Sequence, residues 1–222
     1  MFLNVYVENK PDIVSMISWR NSDFLFFLLY AAMNKDLVFL GIQGCGKGTQ
    51  VKALLEAVPN HLYYEMGQTL RALMSNSNLI GNYIKDVVDN GKMVDNFITH
   101  DLISASLQIC QNNGKNIIID GFPRVMEQAD FFIDTMTKLQ RDYIIVHFEL
   151  SKEKALERMM KRAEIEGRKD DTPAIMEQRI SIFMNETMPV IERFAAMGKV
   201  ITINADGDIA TIQAELRSKL GL

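Results

Sequence analysis

The feature that most constrains the fold is a glycine-rich segment between an apolar run and a helical pattern. Leu37–Leu40 predict a buried strand, and Gly41, Gly44 and Gly46 follow within six positions, just before Lys47. Glycine backbones adopt conformations closed to other residues and bring their N–H groups close to oxygen atoms. The helix that follows directs its free N–H groups and positive dipole end at the same anion. The segment therefore predicts a phosphate-binding loop between a strand and a helix.

The residues that follow the lysine depart from the general phosphate-loop pattern by one position. That pattern has Ser or Thr directly after the lysine, whereas Gly48 separates Lys47 from Thr49. We expect Lys47 to reach the outer phosphates of a nucleotide and Thr49 to offer its hydroxyl to Mg²⁺ or a phosphate oxygen. A glycine turn with a surface lysine is the alternative, but the order of strand, glycines, lysine and helix favours the phosphate site. Cys45 is interpreted as a small residue that fits the turn.

Size and charge exclude some classes of function. The chain has 222 residues, enough for one domain with small insertions, and its net charge is −4. A net negative chain lacks the basic field that binding to nucleic acid or to an anionic membrane requires. A phosphate site must therefore gather Lys and Arg locally. The two cysteines, Cys45 and Cys110, do not have the spacing of a metal or redox motif, which favours the reducing cytoplasm.

The first 33 residues differ from the rest of the chain. Their longest apolar run, Phe24–Met33, has ten residues, whereas a membrane-spanning helix needs about 20. A secretory signal would begin with positive charge, but acidic residues outnumber basic ones here. We expect residues 1–33 to be an N-terminal extension, with Met33 as a natural start of the folded domain. A signal or anchor is the alternative.

From Met33 onward, apolar strands alternate with helical patterns. Strands are predicted at 37–40, 61–65, 116–120, 143–150 and 199–204. Helices are predicted at 50–58, from 66, at 79–90, 95–112, 125–140, from 152, at 173–197 with Thr172 as its N-cap, and after 207. A short loop is predicted at Ala163–Gly167. Five short strands separated by helices predict a parallel sheet with helices on both faces. In such sheets ligands bind at the carboxyl ends of the strands, where the glycine loop, Gly67, Asp120 and Arg124 lie.

Arginines are concentrated at the same predicted cleft. Transfer of a phosphoryl group brings several negative charges together, and fixed guanidinium groups offset that repulsion because they stay charged and bind phosphate through two hydrogen bonds. Any one arginine is equally well explained as a solvated surface residue. As a set they predict phosphoryl transfer, and they are Arg71, Arg124, Arg158, Arg162, Arg168 and Arg179.

Two motifs carry a resemblance to a known family that covers nearly all of residues 35–220. The loop Gly41–Gln50, and Asp120-Gly121-Phe122-Pro123-Arg124 followed by Gln128, resemble the nucleoside monophosphate kinases, above all adenylate kinase. The resemblance implies a three-layer α/β fold of the P-loop NTPase type with a five-stranded parallel sheet. It also implies a kinase domain at 34–222, with a helical acceptor-binding insert at about 64–93 and a lid at about 162–169. Only five residues separate Arg162 from Arg168, so the lid is expected in its short form without zinc.

The resemblance also implies a role for each candidate site residue. Catalytic roles fall on Lys47, Arg124, Arg158, Arg162, Arg168 and Arg179. Contacts to ATP fall on Gly44, Cys45, Gly46, Lys47, Gly48, Thr49, Arg162 and Gly207, the last through its backbone. Contacts to AMP fall on Met66, Arg71, Gly91, Lys92, Met93, Gly121, Phe122, Arg124, Gln128, Arg168 and Arg179. Thr49 and Asp120 are implied in binding the Mg²⁺ that accompanies ATP, Asp120 through water.

The implied function is adenylate kinase, a cytoplasmic and usually monomeric enzyme that converts MgATP and AMP into two ADP. One segment departs from the family pattern, because Met66 stands where a hydroxyl residue contacts the base and Gln68 where an aspartate is usual. This departure leaves a UMP/CMP kinase as an alternative, although Gln128 favours AMP. A nucleotide-binding module without catalysis is a third possibility, against which the complete arginine set argues.

Overall fold

The computed structural model describes residues 35–166 and 172–222. The predicted extension at 1–33 and the segment Arg168–Asp171 lie outside the described residues. The strands are β1 (Asp36–Gly41), β2 (His61–Glu65), β3 (Asn116–Asp120), β4 (Tyr143–Glu149) and β5 (Val200–Asn204). They form one five-stranded sheet in the order β2-β3-β1-β4-β5, and every neighbouring pair is parallel.

The burial of β1 shows that both faces of the sheet are covered. Successive residues of a strand point to opposite faces, and the four residues Leu37–Leu40 are all 2% exposed or less. Phe39 is in register with Asp120 of β3 and with Val146 of β4. The carboxyl ends of β1, β3 and β4 therefore meet along one edge, as the sequence predicted.

The helices between the strands form the two outer layers. They are α1 (Lys47–Leu55), α2 (Met66–Met74), α3 (Leu79–Asp89), α4 (Asn96–Asn112), α5 (Met126–Lys138), α6 (Lys152–Glu166), α7 (Pro173–Ile182), α8 (Met188–Ala196) and α9 (Ile209–Leu220). Helix α1 packs with α9, while α5 packs with both α4 and α8. A π-helical turn, Phe183–Thr187, joins α7 to α8. Among the described residues, the helices are too short or too polar to cross a membrane.

The largest differences from the predicted helices occur in three segments, while other helix ends differ by about one or two residues. Helix α1 begins at Lys47 instead of Gln50, because Gly46, with φ of 95°, already serves as its N-cap; it ends at Leu55 instead of residue 58. The predicted loop at Ala163–Gly167 is wrong over its first four residues, since α6 continues to Glu166. Alanine and glutamate favour helix, so the segment extends the helix before it. The predicted helix at 173–197 is divided by the π-helical turn.

An aromatic cluster packs α5 and α8 against the sheet, from Tyr143 at the amino end of β4 to Phe122 just after the carboxyl end of β3. The ring of Phe132 lies 5.0 Å from Tyr143, 6.3 Å from Phe194 and 6.4 Å from Phe122, each in a tilted or edge-on arrangement that aromatic rings favour. Phe122 is only 1% exposed. The core therefore holds the segment that carries Arg124 in a fixed position.

At the opposite, amino end of the sheet a buried ion pair joins two distant parts of the chain. Arg141 donates from Nε to Asp36 Oδ2 at 2.7 Å and from Nη2 to Oδ1 at 2.6 Å. Asp36 Oδ1 also accepts from the backbone N–H of Ile117 at 2.9 Å. His61 lies nearby, with its Nε2 2.8 Å from the carbonyl of Lys35. The carboxylate is thus fully paired inside the protein.

Candidate active site

A cleft of about 1080 Å³ opens at the carboxyl ends of the strands. Among the described residues, eight Lys and Arg side chains line it against three carboxylates, although the chain as a whole is acidic. The cleft therefore attracts anions. All predicted site residues within the described ranges line this one cleft, and Arg168 lies outside them.

The glycine loop between β1 and α1 forms the donor side of the cleft. Gly44 has φ of 86°, and a Cβ atom there would lie 2.7 Å from the carbonyl oxygen of Ala155, so the loop rests directly against α6. Lys47 Nζ donates to the carbonyl of Gly41 at 2.9 Å. Cys45 is fully buried, and its Sγ lies 3.5 Å from Lys47 Nζ. Its packing agrees with the interpretation of Cys45 as a residue that fits the turn.

Two hydrogen bonds close the donor side around the β5–α9 turn. Arg158 Nη1 of α6 donates to the carbonyl of Ala205 at 3.0 Å, and Gln50 Nε2 of α1 donates to that of Ile209 at 3.2 Å. Gly207 lies between these two attachment points and lines the cleft. Arg162, one helical turn beyond Arg158, lines it as well.

Arg124 lies at the centre of the cleft, just after β3. Its Nε donates to the carbonyl of Gly121 at 2.7 Å, and a Cβ atom on Gly121, with φ of 86°, would approach Arg124 Nη2 to 2.8 Å. Burial lowers the pKa of the Arg124 guanidinium, the charge of Asp120 raises it, and the charges of Arg179 and Arg71 lower it. Three arginines from different elements thus repel one another here, an arrangement that a bound anion would relieve.

Asp120 ends β3 between the donor loop and Arg124. It is 7% exposed, and burial raises the pKa of its carboxyl; Lys47 acts in the opposite direction and Glu65 in the same one. The Tyr63 hydroxyl has one proton to donate and lies 3.3 Å from Asp120 Oδ2 and 3.2 Å from Glu65 Oε2, so the two carboxylates share it. A carboxylate that burial destabilises is a suitable partner for an incoming cation, because a positive charge would restore its ionised form.

The acceptor side begins where β2 passes into α2 without a loop. Arg71 Nη2 donates to Glu65 Oε1 at 2.7 Å, and its guanidinium lies over Gly67, where a Cβ would be 3.1 Å from Nη1. Met66 is buried, and its Sδ accepts from the Tyr64 hydroxyl at 3.5 Å. Gly91, Lys92 and Met93 complete this wall.

Gln128 of α5 lies at the floor of the acceptor side and is 2% exposed. Its Oε1 accepts from the backbone N–H of Arg124 at 2.8 Å. Its Nε2 donates to Asn96 Oδ1 at 2.9 Å and to Thr99 Oγ1 at 3.3 Å. An amide oxygen has two acceptor positions and an amide nitrogen two hydrogens, so Gln128 retains one acceptor position and no donor.

Three residues at the site were missed from the sequence. Tyr63 and Glu65 surround Asp120, and Thr187 of the π-helical turn donates to the carbonyl of Arg124 at 3.0 Å. Glu65 and Asp120 are direct partners in the β2–β3 register. The signal available for Glu65 was its place at the last position of a predicted strand. Thr187 lies in the middle of a long helical pattern, and nothing in that pattern indicates that its hydroxyl contacts the site.

A parallel sheet with a glycine loop after its first strand, facing a cationic cleft with two sides, defines a P-loop phosphotransferase that acts on nucleotides. A family model described as adenylate kinase matches residues 39–199. The chain belongs to the adenylate kinase family.

Individual relatives agree with that assignment. The adenylate kinase of Prochlorococcus marinus subsp. pastoris is 32% identical over 85% of this chain and 98% of its own length. Adenylate kinase 1 of Nostoc sp. is 32% identical over 83% of this chain and 98% of its own length. The adenylate kinase of Oenococcus oeni is 29% identical, with 83% and 97% covered.

Proposed function

We propose that this chain catalyses the reversible transfer of the terminal phosphoryl group of MgATP to AMP, which yields two molecules of ADP. The observation that carries the proposal is the cleft itself, in which a glycine loop with Lys47 faces Arg71, Arg124 and Arg179 across the carboxyl end of the sheet. One side offers backbone N–H groups to a nucleotide tail, and the other offers guanidinium groups to a second phosphate.

The reaction makes one bond and breaks one. An oxygen of the AMP phosphate attacks the terminal phosphorus of ATP, and the bond from that phosphorus to the oxygen bridging to the β-phosphate breaks. The AMP phosphate is largely a dianion at pH 7, so the attacking oxygen needs no general base. The protein's contribution is to align the two nucleotides and to offset their charge.

The donor role falls on the glycine loop and the residues behind it. The loop N–H groups and Lys47 would hold the donor phosphates, with Arg158, Arg162 and Gly207 on the far wall. Mg²⁺ would arrive with ATP as part of the substrate, with Thr49 next to it and Asp120 acting through water. Arg124 and Arg179 would bind the acceptor and the transferring group, and the resemblance adds Arg168. Closure over both nucleotides would exclude water and limit wasteful hydrolysis of ATP.

Gln128 supports AMP as the acceptor. Its free acceptor position favours a base that presents an exocyclic amine, as adenine and cytosine do, over one that presents a carbonyl, as uracil does. Met66 supplies an apolar, polarisable surface where the family usually has a hydroxyl, and its thioether would pack on the base. The family relationship then favours adenine over cytosine. The UMP/CMP kinase alternative is not favoured.

Further parts of the proposal concern the protein's state in the cell. We propose a monomer that acts in the cytoplasm on free nucleotides, without nucleic acid or membrane partners. Free, buried Cys45 and Cys110 and the net charge of −4 support this proposal. Mass measurement by light scattering during gel filtration would test the monomer.

A coupled assay for ADP formation tests the function. MgATP is supplied with AMP, CMP, UMP or GMP at equal concentrations, and we expect the highest kcat/KM with AMP. Higher activity with CMP and UMP than with AMP would establish the alternative kinase. No ADP with any acceptor, from a protein whose circular dichroism is that of a folded α/β domain, would contradict catalysis.

A further inference from the structure

Glu65 places a negative charge where the acceptor phosphate is expected to bind. Its Oε1 accepts from Arg71 Nη2 at 2.7 Å, and its Oε2 lies 3.2 Å from the Tyr63 hydroxyl that it shares with Asp120. Glu65 is the last residue of β2 and lies opposite Asp120 of β3 in the register. Its side chain is 29% exposed, and that of Arg71 is 38% exposed. The pair therefore faces the cleft and is open to exchange.

The surroundings make this pair different from a surface salt bridge. Glu65 adds to the burial effect that raises the pKa of Asp120, so two carboxylates stand close together in a cationic cleft. The charges of Arg71, Arg124 and Arg179 meet at the same place. Glu65 offsets part of the repulsion among the guanidinium groups, which is the task that a bound phosphate would otherwise perform.

We propose that Glu65 is an internal competitor of the acceptor phosphate for Arg71, and that it sets how tightly this protein binds the nucleoside monophosphate. The inference rests on the proposed function. AMP must displace the Glu65 carboxylate from Arg71, so its apparent affinity is lower than the arginines alone would give. ATP binds on the other side of the cleft and does not meet this competition.

The competition has a direction that a purely structural role for Glu65 would not give. If Glu65 instead holds Arg71 in the orientation that phosphate needs, removal of its charge would weaken AMP binding. If it competes, removal would strengthen AMP binding. The sign of the change in the KM for AMP therefore separates the two roles.

The test uses the full chain with Glu65→Gln and Glu65→Ala, two routes to a neutral side chain at a partly exposed position. We expect the KM for AMP at saturating MgATP to fall by about fivefold, the scale of a partly exposed ion pair. We expect the Kd for AMP by titration calorimetry to fall in parallel. The KM for ATP serves as the internal reference, and thermal unfolding shows whether each variant is folded.

Asp134→Asn is the matched control, because Asp134 pairs with Lys138 at 2.6 Å on the surface of α5 and its loss changes net charge by the same amount. This variant should leave the KM for AMP where it was. An unchanged or higher KM for AMP in both Glu65 variants would overturn the inference. A parent protein that makes no ADP from AMP would instead contradict the proposed function.

Discussion

At each end of the sheet a buried aspartate lies beside a partly buried arginine, and the two pairs are built differently. At the amino end, Arg141 and Asp36 make two hydrogen bonds to each other, and Asp36 takes a third from the Ile117 backbone. At the carboxyl end, Arg124 donates to the backbone of Gly121, and Asp120 shares the Tyr63 hydroxyl with Glu65.

The two pairs differ in how fully their charges are compensated by other groups of the protein. Asp36 and Arg141 satisfy each other inside the protein, and the pair raises the pKa of Arg141 despite the opposing effect of burial. Arg124 instead has two further arginines as neighbours, and the net effect of burial and charge lowers its pKa. We therefore expect loss of either partner of the first pair to destabilise the fold, and we expect the second arrangement to gain stability when an anion binds. Burial alone therefore does not separate a structural charge from a functional one.

The largest expected effect comes from removing the arginine at the carboxyl end of the sheet. Arg124→Ala should lower kcat with AMP by about 10³-fold, by analogy with arginines that stabilise transferring phosphoryl groups. Its free energy of unfolding should stay near that of the parent, because the repulsion with Arg71 and Arg179 is relieved. The coupled assay and urea unfolding measure the two quantities.

Arg193→Ala is the control for Arg124, since Arg193 pairs with Asp130 at 2.5 Å and does not line the cleft. It should retain the turnover of the parent. Undiminished activity in Arg124→Ala would contradict the proposed role of Arg124. It would also show that the two ends of the sheet do not differ in function through this arginine.

The amino end should show the reverse pattern. Arg141→Ala leaves the Asp36 carboxylate buried without its partner, which should reduce the free energy of unfolding by about 3 kcal/mol. Turnover per folded molecule should not change, because Arg141 is at the far end of the sheet from the cleft. Adding Asp36→Asn to this variant removes the unpaired charge and should recover part of the loss. A loss of kcat with unchanged stability would contradict the assignment of the two ends.

The smallest expected effect is a dependence of stability on pH that comes from His61. Burial lowers the pKa of His61, while its hydrogen bond to the Lys35 carbonyl and the charge of Asp36 raise it by less. The folded pKa is below the unfolded value of about 6.5, so the unfolded state binds more protons between these two pKa values. Stability is therefore lost as the pH falls from about 6.5 through the folded pKa. The free energy of unfolding should therefore decrease between pH 7.5 and 5.5.

Comparison of the parent with His61→Gln isolates this contribution. Burial also lowers the pKa of His100 and His147, and the raised pKa of Asp120 acts in the opposite sense as the pH falls. These groups remain in both proteins. The variant should show a shallower decrease in urea unfolding at the two pH values, and an identical slope would remove His61 as a source of acid sensitivity.

Local sequence patterns predicted most of the fold. The bounds of β2 and β3 were predicted correctly, and β1 is longer by one residue at each end, because apolar runs between turn residues define strands well. The Thr172 cap was also predicted, and its hydroxyl accepts from the Ile175 N–H at 3.4 Å. The loop predicted at Ala163–Gly167 was wrong, since residues 163–166 continue a helix.

Contacts between distant residues could not be predicted in the same way. Asp36 and Arg141 are 105 positions apart, and their pairing depends on the order of the strands, which apolar patterns do not specify. The place of Glu65 beside Arg71 depends on a strand that passes directly into a helix. The motifs predicted which residues would line the cleft, while the roles and domain boundaries taken from the resemblance stay predictions.

The π-helical turn between α7 and α8 has a geometric consequence for the cleft. Each α-helical residue advances the direction of its side chain by about 100°, so one additional residue in a turn rotates everything beyond it. This offset lets one continuous helical rod direct Arg179 into the cleft and, about four turns later, bury Phe194 against the sheet. Deletion of a single residue from this turn would rotate α8 relative to α7. Either Arg179 would then turn away from the cleft or Phe194 would turn away from the core.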